Sequence, residues 1–245
     1  MGGGYHEFAD AYDTLTFNVP YERIAAYYSQ IIRRLTDGRR VLDLGCGTGN
    51  LSTRLAKRGF KVVGMDASDT MLMYAAQKST EVTWLRGLME RGAPGVRADA
   101  VISTLDSINH LENREAVESC FRGAAKALED GGVFAFDVNT IYKHREILGG
   151  NTFVYDVDSV YCAWNNEFCE QDNGVDMELD LFFERNDGVY LRACERFREI
   201  AFTEQELCEM LEEAGFEVVR VWEYLTTKAP SATSEKLMVV AKKSC

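Results

Sequence analysis

The sequence lacks the features that mark a membrane protein, a disulfide-bonded secreted protein or a structural metal site. No apolar run is long enough to span a membrane, and the N-terminus carries neither the basic nor the apolar segment of a signal peptide. The seven cysteines are scattered without a C-x-x-C pair, and the chain has only three histidines. This composition is typical of a cytoplasmic protein with reduced thiols and no bound metal.

Basic residues are also fewer than acidic residues. The chain has 27 lysines and arginines against 39 aspartates and glutamates, which gives a formal net charge of −12 at pH 7. Such a charge disfavours binding to nucleic acid or to an anionic membrane. We therefore expect neither of them as a partner, and the sequence does not indicate an oligomeric state.

The 245 residues, 46% of them hydrophobic, are organised as alternating strand and helix patterns after a helical stretch over the first 40 residues. One helix is predicted at 113–132, where glycines end it, and another at 203–215, where Thr203 and Glu206 form a capping box. The predicted strands are 41–45, 61–66, 82–86, 98–104, 133–139, 217–224 and 236–243. Because strands joined by helices need crossover connections, this pattern predicts an α/β fold with a parallel sheet covered on both faces.

The pattern changes between residues 140 and 200. Residues 175–183, VDMELDLFF, alternate apolar and acidic side chains, and turn signals stand at 172–174 and 186–188. An antiparallel β insert after the fifth strand is therefore predicted. The expected organisation is a core of residues 1–139 and 201–245, in which 1–36 form an N-terminal helical lid, and an insert, 140–200, that covers the substrate.

The stretch VLDLGCGTGN, residues 41–50, carries three glycines between a strand and a helix, where a ligand can contact bare backbone. The dinucleotide fingerprint G-x-G-x-x-G is broken, because its third glycine falls on Asn50. Asp43 precedes the first glycine and would repel a pyrophosphate but attract an ammonium group. Asp66 ends the second strand, at the place where an acid accepts hydrogen bonds from ribose. S-adenosylmethionine (SAM) is a ligand that carries both an ammonium group and a ribose.

These residues, with VVGMDAS at 62–68 and Met71, resemble the class I SAM-dependent methyltransferases. The resemblance covers most of the chain and weakens over 140–200. It implies a seven-stranded Rossmann-like methyltransferase sheet with helices on both faces and an antiparallel last strand. It also implies the following cofactor-binding residues: Gly45 and Gly47 at the methionyl part, Asp43 near the amino group, Asp66 at the ribose, and Ala67 and Met71 at the adenine.

The same resemblance implies further contacts where the sequence departs from the family pattern. Many relatives have an acid after the third strand that reaches the adenine amine, but Gly87 stands there in this chain. Backbone groups at Leu88 and Met89 would then contact the adenine. Leu105, after the fourth strand, would lie beside the cofactor, and Tyr12 would close over it from the N-terminal segment, in which Tyr5 and Phe8 share its face.

The acceptor is expected at the end of the fourth strand, where Asp106 and Asn109 stand. Asp106 is the candidate catalytic residue, which would orient or deprotonate an amine or a hydroxyl; capping the following turn is the alternative. His110 is interpreted as structural. Polar residues that end the insert, Glu195 and Arg198, either face the substrate or lie on a solvated strand face.

The acidic face of the insert has the same two interpretations, because it could line the substrate entrance or face bulk solvent. We predict a methyltransferase that moves a methyl group by in-line displacement to a small-molecule acceptor, possibly an amine or a cation, with S-adenosyl-L-homocysteine (SAH) as product. The alternatives are a tRNA- or protein-modifying methyltransferase and a SAM-binding protein without transferase activity. A nicotinamide oxidoreductase is disfavoured by Asp43 and the broken fingerprint.

Overall fold

A computed structural model describes residues 5–185 and 187–244, except for the side chains of residues 5–8 and 10. The helices are α1 (Tyr5–Leu15), α2 (Tyr21–Leu35), α3 (Asn50–Lys57), α4 (Asp69–Lys78), α5 (Arg114–Ala127) and α6 (Glu204–Glu213), with a short 3₁₀ turn at Met89–Arg91 and a π-helical segment at Lys143–Leu148. The strands are β1 (Arg40–Leu44), β2 (Lys61–Asp66), β3 (Thr83–Arg86), β4 (Ala98–Ser103), β5 (Leu128–Asn139), β6 (Thr152–Val157), β7 (Val160–Cys169), β8 (Gly174–Glu184), β9 (Tyr190–Ile200), β10 (Phe216–Glu223) and β11 (Lys236–Lys243).

The core is a seven-stranded sheet with the order β10-β11-β5-β4-β1-β2-β3. Strands β1 to β5 run parallel, and β11 is antiparallel to both of its neighbours, β10 and β5. This arrangement confirms the predicted fold class, including the antiparallel last strand. Since parallel strands end together, the segments after β1, β2, β3, β4 and β5 meet at one edge of the sheet.

Successive residues of β1 point to opposite faces, and each face is buried by different helices. Val41 packs beneath α2 and α3 with apolar residues such as Ile24 and Leu55. Leu42 packs on the other side with residues of α5 and α6, among them Phe121 and Met210. Burial on both faces explains why the strand is almost continuously apolar and why Asp43 stands out in it.

The helix predicted at 113–132 ends earlier than the glycines suggest. α5 stops at Ala127, and Leu128 already pairs with Ala98 of β4. The register then shifts, and Ala100 pairs with Val133. Residues 129–132 therefore bulge out of β5, and Gly131 has a φ of 72°, a value that glycine adopts easily. Burial of Leu128 against the sheet decides the boundary in place of the glycines.

The insert forms a second, four-stranded sheet, β6-β7-β8-β9, in which every neighbouring pair is antiparallel. Its inner face is apolar, with Met177, Leu179 and Leu181 buried as their alternation predicts. That face packs on Ala11 of α1 and Leu148 of the π-helical segment, a segment that the sequence pattern did not predict. The insert thus sits against the N-terminal helix rather than standing free.

In the part of the chain that the structure describes, no helix is both long and apolar enough to cross a membrane. The six cysteines within that part are all free thiols.

Candidate active site

The glycine loop lies at the edge where the parallel strands end. Gly45, Gly47 and Gly49 all have positive φ, at 72°, 53° and 74°. A Cβ atom on Gly45 would come within 2.8 Å of Ser107, and one on Gly49 within 2.4 Å of the Trp84 ring. A Cβ on Gly47 would meet nothing within 4 Å. Packing therefore explains two of the glycines, while Gly47 exposes backbone to open space, as a ligand-binding loop requires.

Asp43 is buried in β1, with only 1% of its surface exposed. The Ser52 hydroxyl donates a hydrogen bond to its Oδ2 at 2.5 Å. Its Oδ1 is buried and has no hydrogen-bond partner among the residues that the structure describes. Burial raises the pKa of Asp43 to about 7. A buried carboxylate oxygen without a partner is costly, and a cationic hydrogen-bond donor at this place would relieve that cost.

Asp66 joins the glycine loop to the start of α4. The Gly47 amide donates to Oδ2 at 2.8 Å, and the Ser68 amide donates to Oδ1 at 2.9 Å. Burial raises the pKa of Asp66, against the opposing effect of these hydrogen bonds. Ala67, next along the chain, is exposed, whereas Met71 is buried on α4, whose N-cap is Ser68. The carboxylate of Asp66 is thus fixed beside the open backbone of Gly47.

The segments after β3 and β4 supply the apolar part of this edge. The thioether of Met89 lies 4.0 Å from the Ser103 hydroxyl and 3.3 Å from the place of a Cβ on Gly45. Leu88 is 36% exposed, and Leu105 is partly buried. The structure therefore brings Met89 next to the glycine loop and leaves Leu88 accessible beside it.

The turn after β4 is strained and is held by a single buried carboxylate. Leu105 and Asp106 have φ values of 53° and 58°, a region that side-chain-bearing residues avoid. Their amides donate to the two oxygens of Asp137, at 3.0 and 3.1 Å. Asp137 is fully buried in β5 and also accepts from the Tyr28 hydroxyl at 2.9 Å. Backbone strain that is held by surrounding contacts concentrates at functional sites.

Asp106 itself lies in a network of charged groups. Its Oδ2 accepts from the Asn139 amide at 2.8 Å and from the Lys236 ammonium at 3.2 Å. Burial opposes its ionisation, but the positive charges of Lys236 and Lys143 outweigh that effect and hold the pKa of Asp106 well below its usual range. None of the described hydrogen bonds of this side chain goes to the following turn. These contacts leave Asp106 an ionised carboxylate and a weak base.

The network continues from the core into the insert. The Asn139 amide also donates to Oε2 of Glu199 at 2.7 Å, and the same oxygen lies 3.0 Å from Nε2 of His144. The other ring nitrogen of His144 lies 2.9 Å from the Asn173 carbonyl, so Nδ1 carries a proton. Asn139 thus bridges the carboxyl group of the core, Asp106, and the carboxyl group of the insert, Glu199.

Sequence reasoning missed most of this network. Asp137 and Asn139 are polar residues at the carboxyl end of an apolar strand, the same signal that singled out Asp43 in β1. His144 and Glu199 left no comparable signal, because they are 55 residues apart and meet only through the fold. His110, interpreted as structural, lies 3.5 Å from Oε1 of Glu199 and is partly exposed.

Ion pairs on the outer face of the insert bear on the two interpretations of its charged residues. Arg198 pairs with Asp172 and Asp176, on the face opposite the buried residues. The acidic residues of β8 are likewise matched there: Arg192 pairs with Asp180, and Arg196 pairs with Glu178. These pairs favour the interpretation of Arg198 and of the acidic residues of β8 as a solvated strand face over the one in which they face the substrate. Glu195, by contrast, is buried on the inner face.

Tyr12 lies on α1, partly buried, and is hydrogen-bonded to Tyr21 at the start of α2. Burial raises its pKa well above the usual range, and the negative charge of Asp106 adds to that shift. Tyr12 therefore lies close enough to Asp106 for the charge of that carboxylate to affect its hydroxyl. The side chains of Tyr5 and Phe8, which were predicted to share its face, lie outside the described residues.

Comparison with known proteins agrees with this geometry. Residues 41–132 match the family model described as "Methyltransferase domain". The chain is 34% identical to the "Putative methyltransferase YqeM" of Bacillus subtilis, over 98% of this chain and 97% of that protein. A crystal structure of an S-adenosylmethionine-dependent methyltransferase from Clostridium acetobutylicum, 27% identical, superposes with a TM-score of 0.86 over 98% of this chain and 99% of the other.

A third relative is named for its acceptor. It is the dTDP-3-amino-3,4,6-trideoxy-alpha-D-glucopyranose N,N-dimethyltransferase of Streptomyces venezuelae, 28% identical over 52% of this chain and 55% of that protein. The full-length similarity to YqeM, the glycine loop and the strand order lead to one conclusion. The chain belongs to the class I SAM-dependent methyltransferases, and SAM is its cofactor.

Proposed function

We propose that this methyltransferase transfers the methyl group of SAM to a nitrogen atom of a small-molecule amine. The observation that carries the proposal is the pair of carboxyl groups, Asp106 and Glu199, which Asn139 bridges beyond the glycine loop. Carboxylates that are already fixed in place can stabilise an acceptor that gains positive charge during the reaction.

The residues at the glycine loop fit SAM. Asp43 would accept a hydrogen bond from the ammonium group, because its Oδ1 is buried without a partner in the described part of the chain. Asp66 would hold the ribose hydroxyls, and the open backbone at Gly47 leaves room for the ligand. Met89 and Leu88 offer apolar surface for the adenine, with backbone groups in place of the acid that many relatives have.

When bound, SAM supplies an electrophilic methyl group on a sulfonium. Transfer to a neutral amine moves the positive charge onto the acceptor nitrogen, so an anion near that nitrogen stabilises the transition state. Asp106 suits this role, because Lys236 and Lys143 keep it ionised although it is partly buried. The same low pKa makes it a poor acceptor of protons. Of the two roles that the sequence left open, we therefore propose that Asp106 orients and stabilises the amine.

We propose that the insert covers the acceptor side of the site, and its inner face supports a role for Asp106 beside the amine. Its last strand carries Glu195 and Glu199 on the inner face, both nearly fully buried. The name of the Streptomyces venezuelae relative, an amino-sugar N,N-dimethyltransferase, agrees with a small amine as acceptor. In-line displacement would follow from the alignment of amine, methyl group and sulfur beneath the insert.

A transfer assay with methyl-labelled SAM tests the proposal. The protein is offered a panel of small amines that includes amino sugars, a matched panel of hydroxyl analogues, and bulk tRNA and protein. We expect label on the amines with one SAH released per methyl group. Asp106→Asn should lower kcat at least about tenfold, while Asp180→Asn, on the outer face of the insert, should leave it unchanged.

Three results would contradict the proposal. Label in the hydroxyl panel alone would move the function to O-methylation. Label in the tRNA or protein fraction would establish a macromolecular acceptor. SAM binding without SAH release from any fraction would identify a binding protein without transferase activity.

A further inference from the structure

Asp13 connects α1 to the glycine loop through both of its carboxylate oxygens. Its Oδ1 accepts hydrogen bonds from the Thr48 hydroxyl at 2.7 Å and from the Asn50 amide at 2.8 Å. Its Oδ2 lies 2.5 Å from the Lys78 ammonium, which also donates to the Asn50 side chain at 3.2 Å. We call these four residues, Asp13, Thr48, Asn50 and Lys78, the clasp. It joins α1, the glycine loop, α3 and α4.

In the clasp, an ion pair whose side chains are 41% (Asp13) and 26% (Lys78) exposed is joined by hydrogen bonds from Thr48 and Asn50. Thr48 is buried, with 1% of its surface exposed. Partial burial opposes ionisation of Asp13, but the hydrogen bonds from Lys78 and Thr48 outweigh it and lower the pKa of Asp13. A carboxylate that accepts several hydrogen bonds and pairs with a lysine holds its partners more firmly than a solvated pair does.

The same helix contacts the insert on its other side. Ala11 is fully buried in the apolar cluster on the inner face of the insert, and Leu15 packs against that cluster. Along its length, α1 contacts β6, β7 and β9. One helix therefore touches the loop that binds the cofactor and the sheet that we propose to cover the acceptor.

We propose that Asp13 is a positioning residue that couples cofactor binding to placement of the insert. Thr48 and Asn50 flank Gly49 in the loop, so a ligand that orders the loop also orders the two donors to Asp13. Ordered donors hold α1, and α1 holds the inner face of the insert. This inference rests on the proposed roles of the glycine loop and the insert, and it adds the residue that links them.

Calorimetric titration with SAH tests the coupling without knowledge of the acceptor. Asp13→Ala should weaken SAH binding at least about tenfold, because the loop loses its shared anionic acceptor. Asp13→Asn keeps an oxygen for Thr48 but loses the charge that pairs with Lys78, so its affinity should fall between the two. Glu22→Gln is the matched control, since Glu22 pairs Arg54 and Arg58 of the same region at the exposed surface and should leave SAH affinity unchanged.

Hydrogen exchange supplies a readout that a merely structural role would not produce. In the wild-type protein, SAH should slow amide exchange in α1 and in β6, β7 and β9. In Asp13→Ala, saturating SAH should still protect the glycine loop but no longer protect the insert. If Asp13→Ala fails to fold, Thr48→Val removes one donor and leaves the Asp13–Lys78 pair in place, and it should show the same loss of protection in smaller measure.

The inference would be overturned if a folded variant had the same SAH affinity as the wild type and SAH protected its insert equally. A wild-type protein that binds no SAH would overturn the proposed cofactor site instead. The two failures are therefore distinguishable.

Discussion

At the edge of the sheet, the carboxylates at the glycine loop and those beyond β4 differ in their partners. At the glycine loop, Oδ1 of Asp43 has no hydrogen-bond partner in the part of the chain that the structure describes. Beyond β4, Asp106 and Asp137 each lie 3.2 Å from the ammonium of Lys236. We propose that a ligand completes the glycine-loop half of the edge, the cofactor half. In the acceptor half, beyond β4, the carboxylates already pair with a lysine of the protein itself.

This difference matches the role that we propose for each half. A site that recognises a cation needs an anion that no protein group has neutralised. A site that must stabilise a charge at the moment of reaction works best when its dipoles and charges are already fixed. The strained turn at Leu105 and Asp106, held by Asp137, is part of that fixed arrangement.

The largest expected effect comes from removing a charge from the buried ion pair in the acceptor half, beyond β4. Asp137→Asn removes the charge that pairs with Lys236 and weakens the support of the strained turn. We expect the free energy of unfolding to fall by about 3–5 kcal/mol, the usual result when one member of a buried ion pair is lost. Urea denaturation checks this.

Asp130→Asn is the matched control, because Asp130 pairs with Lys243 at the exposed end of the same sheet. It should change stability by less than about 1 kcal/mol. Equal effects of the two substitutions would show that the buried network contributes no more than a surface pair.

A smaller effect should appear in the pH dependence of the cofactor half. The folded-state pKa of Asp43 is raised to about 7, so this carboxyl is largely protonated at pH 6. Burial of this carboxyl therefore lowers the free energy of unfolding of the ligand-free protein as pH rises through about 7. A bound ammonium group offsets that loss. SAH affinity should rise roughly five- to tenfold between pH 6 and pH 7.5.

Calorimetry across this pH range measures the rise, and Asp43→Asn should abolish it. A wild-type affinity that stays flat from pH 6 to pH 7.5 would show that Asp43 does not interact with the ligand cation.

The smallest effect is expected on the outer face of the insert. Arg192 pairs with Asp180 at the surface, with 60% of its side chain exposed. Because solvent screens such a pair, Arg192→Ala should leave the unfolding midpoint and SAH affinity unchanged. A clear loss of transfer activity in this variant would mean that the outer face contacts the acceptor after all.

The position of the glycine-loop residues at the sheet edge could be predicted from the sequence because the signal is local. Asp43, Gly45 and Gly47 lie within one strand and its following turn, and Asp66 ends the adjacent strand in chain order. Alternation likewise predicted the buried face of β8. In each of these cases, a short stretch of chain contains both the signal and its structural consequence.

The acceptor half could not be predicted in the same way. Asp106 meets Lys236 across 130 residues, and His144 meets Glu199 across 55. Charge composition alone could not show that the acidic residues of β8 pair with arginines of β9 on the outer face. Only the register between those strands shows which acids face the core, and register is set by packing across the whole insert.

We propose that Asp43 recognises the ammonium end of the cofactor and that Asp66 recognises the ribose end. Comparing SAH with 5′-methylthioadenosine, which has the ribose and adenine but no amino acid part, tests it directly by calorimetry. In Asp43→Asn, the preference for SAH over 5′-methylthioadenosine should fall at least about tenfold. In Asp66→Ala, both ligands should weaken at least about tenfold while the preference stays the same. A preference that survives in Asp43→Asn, or that collapses in Asp66→Ala, would contradict the account.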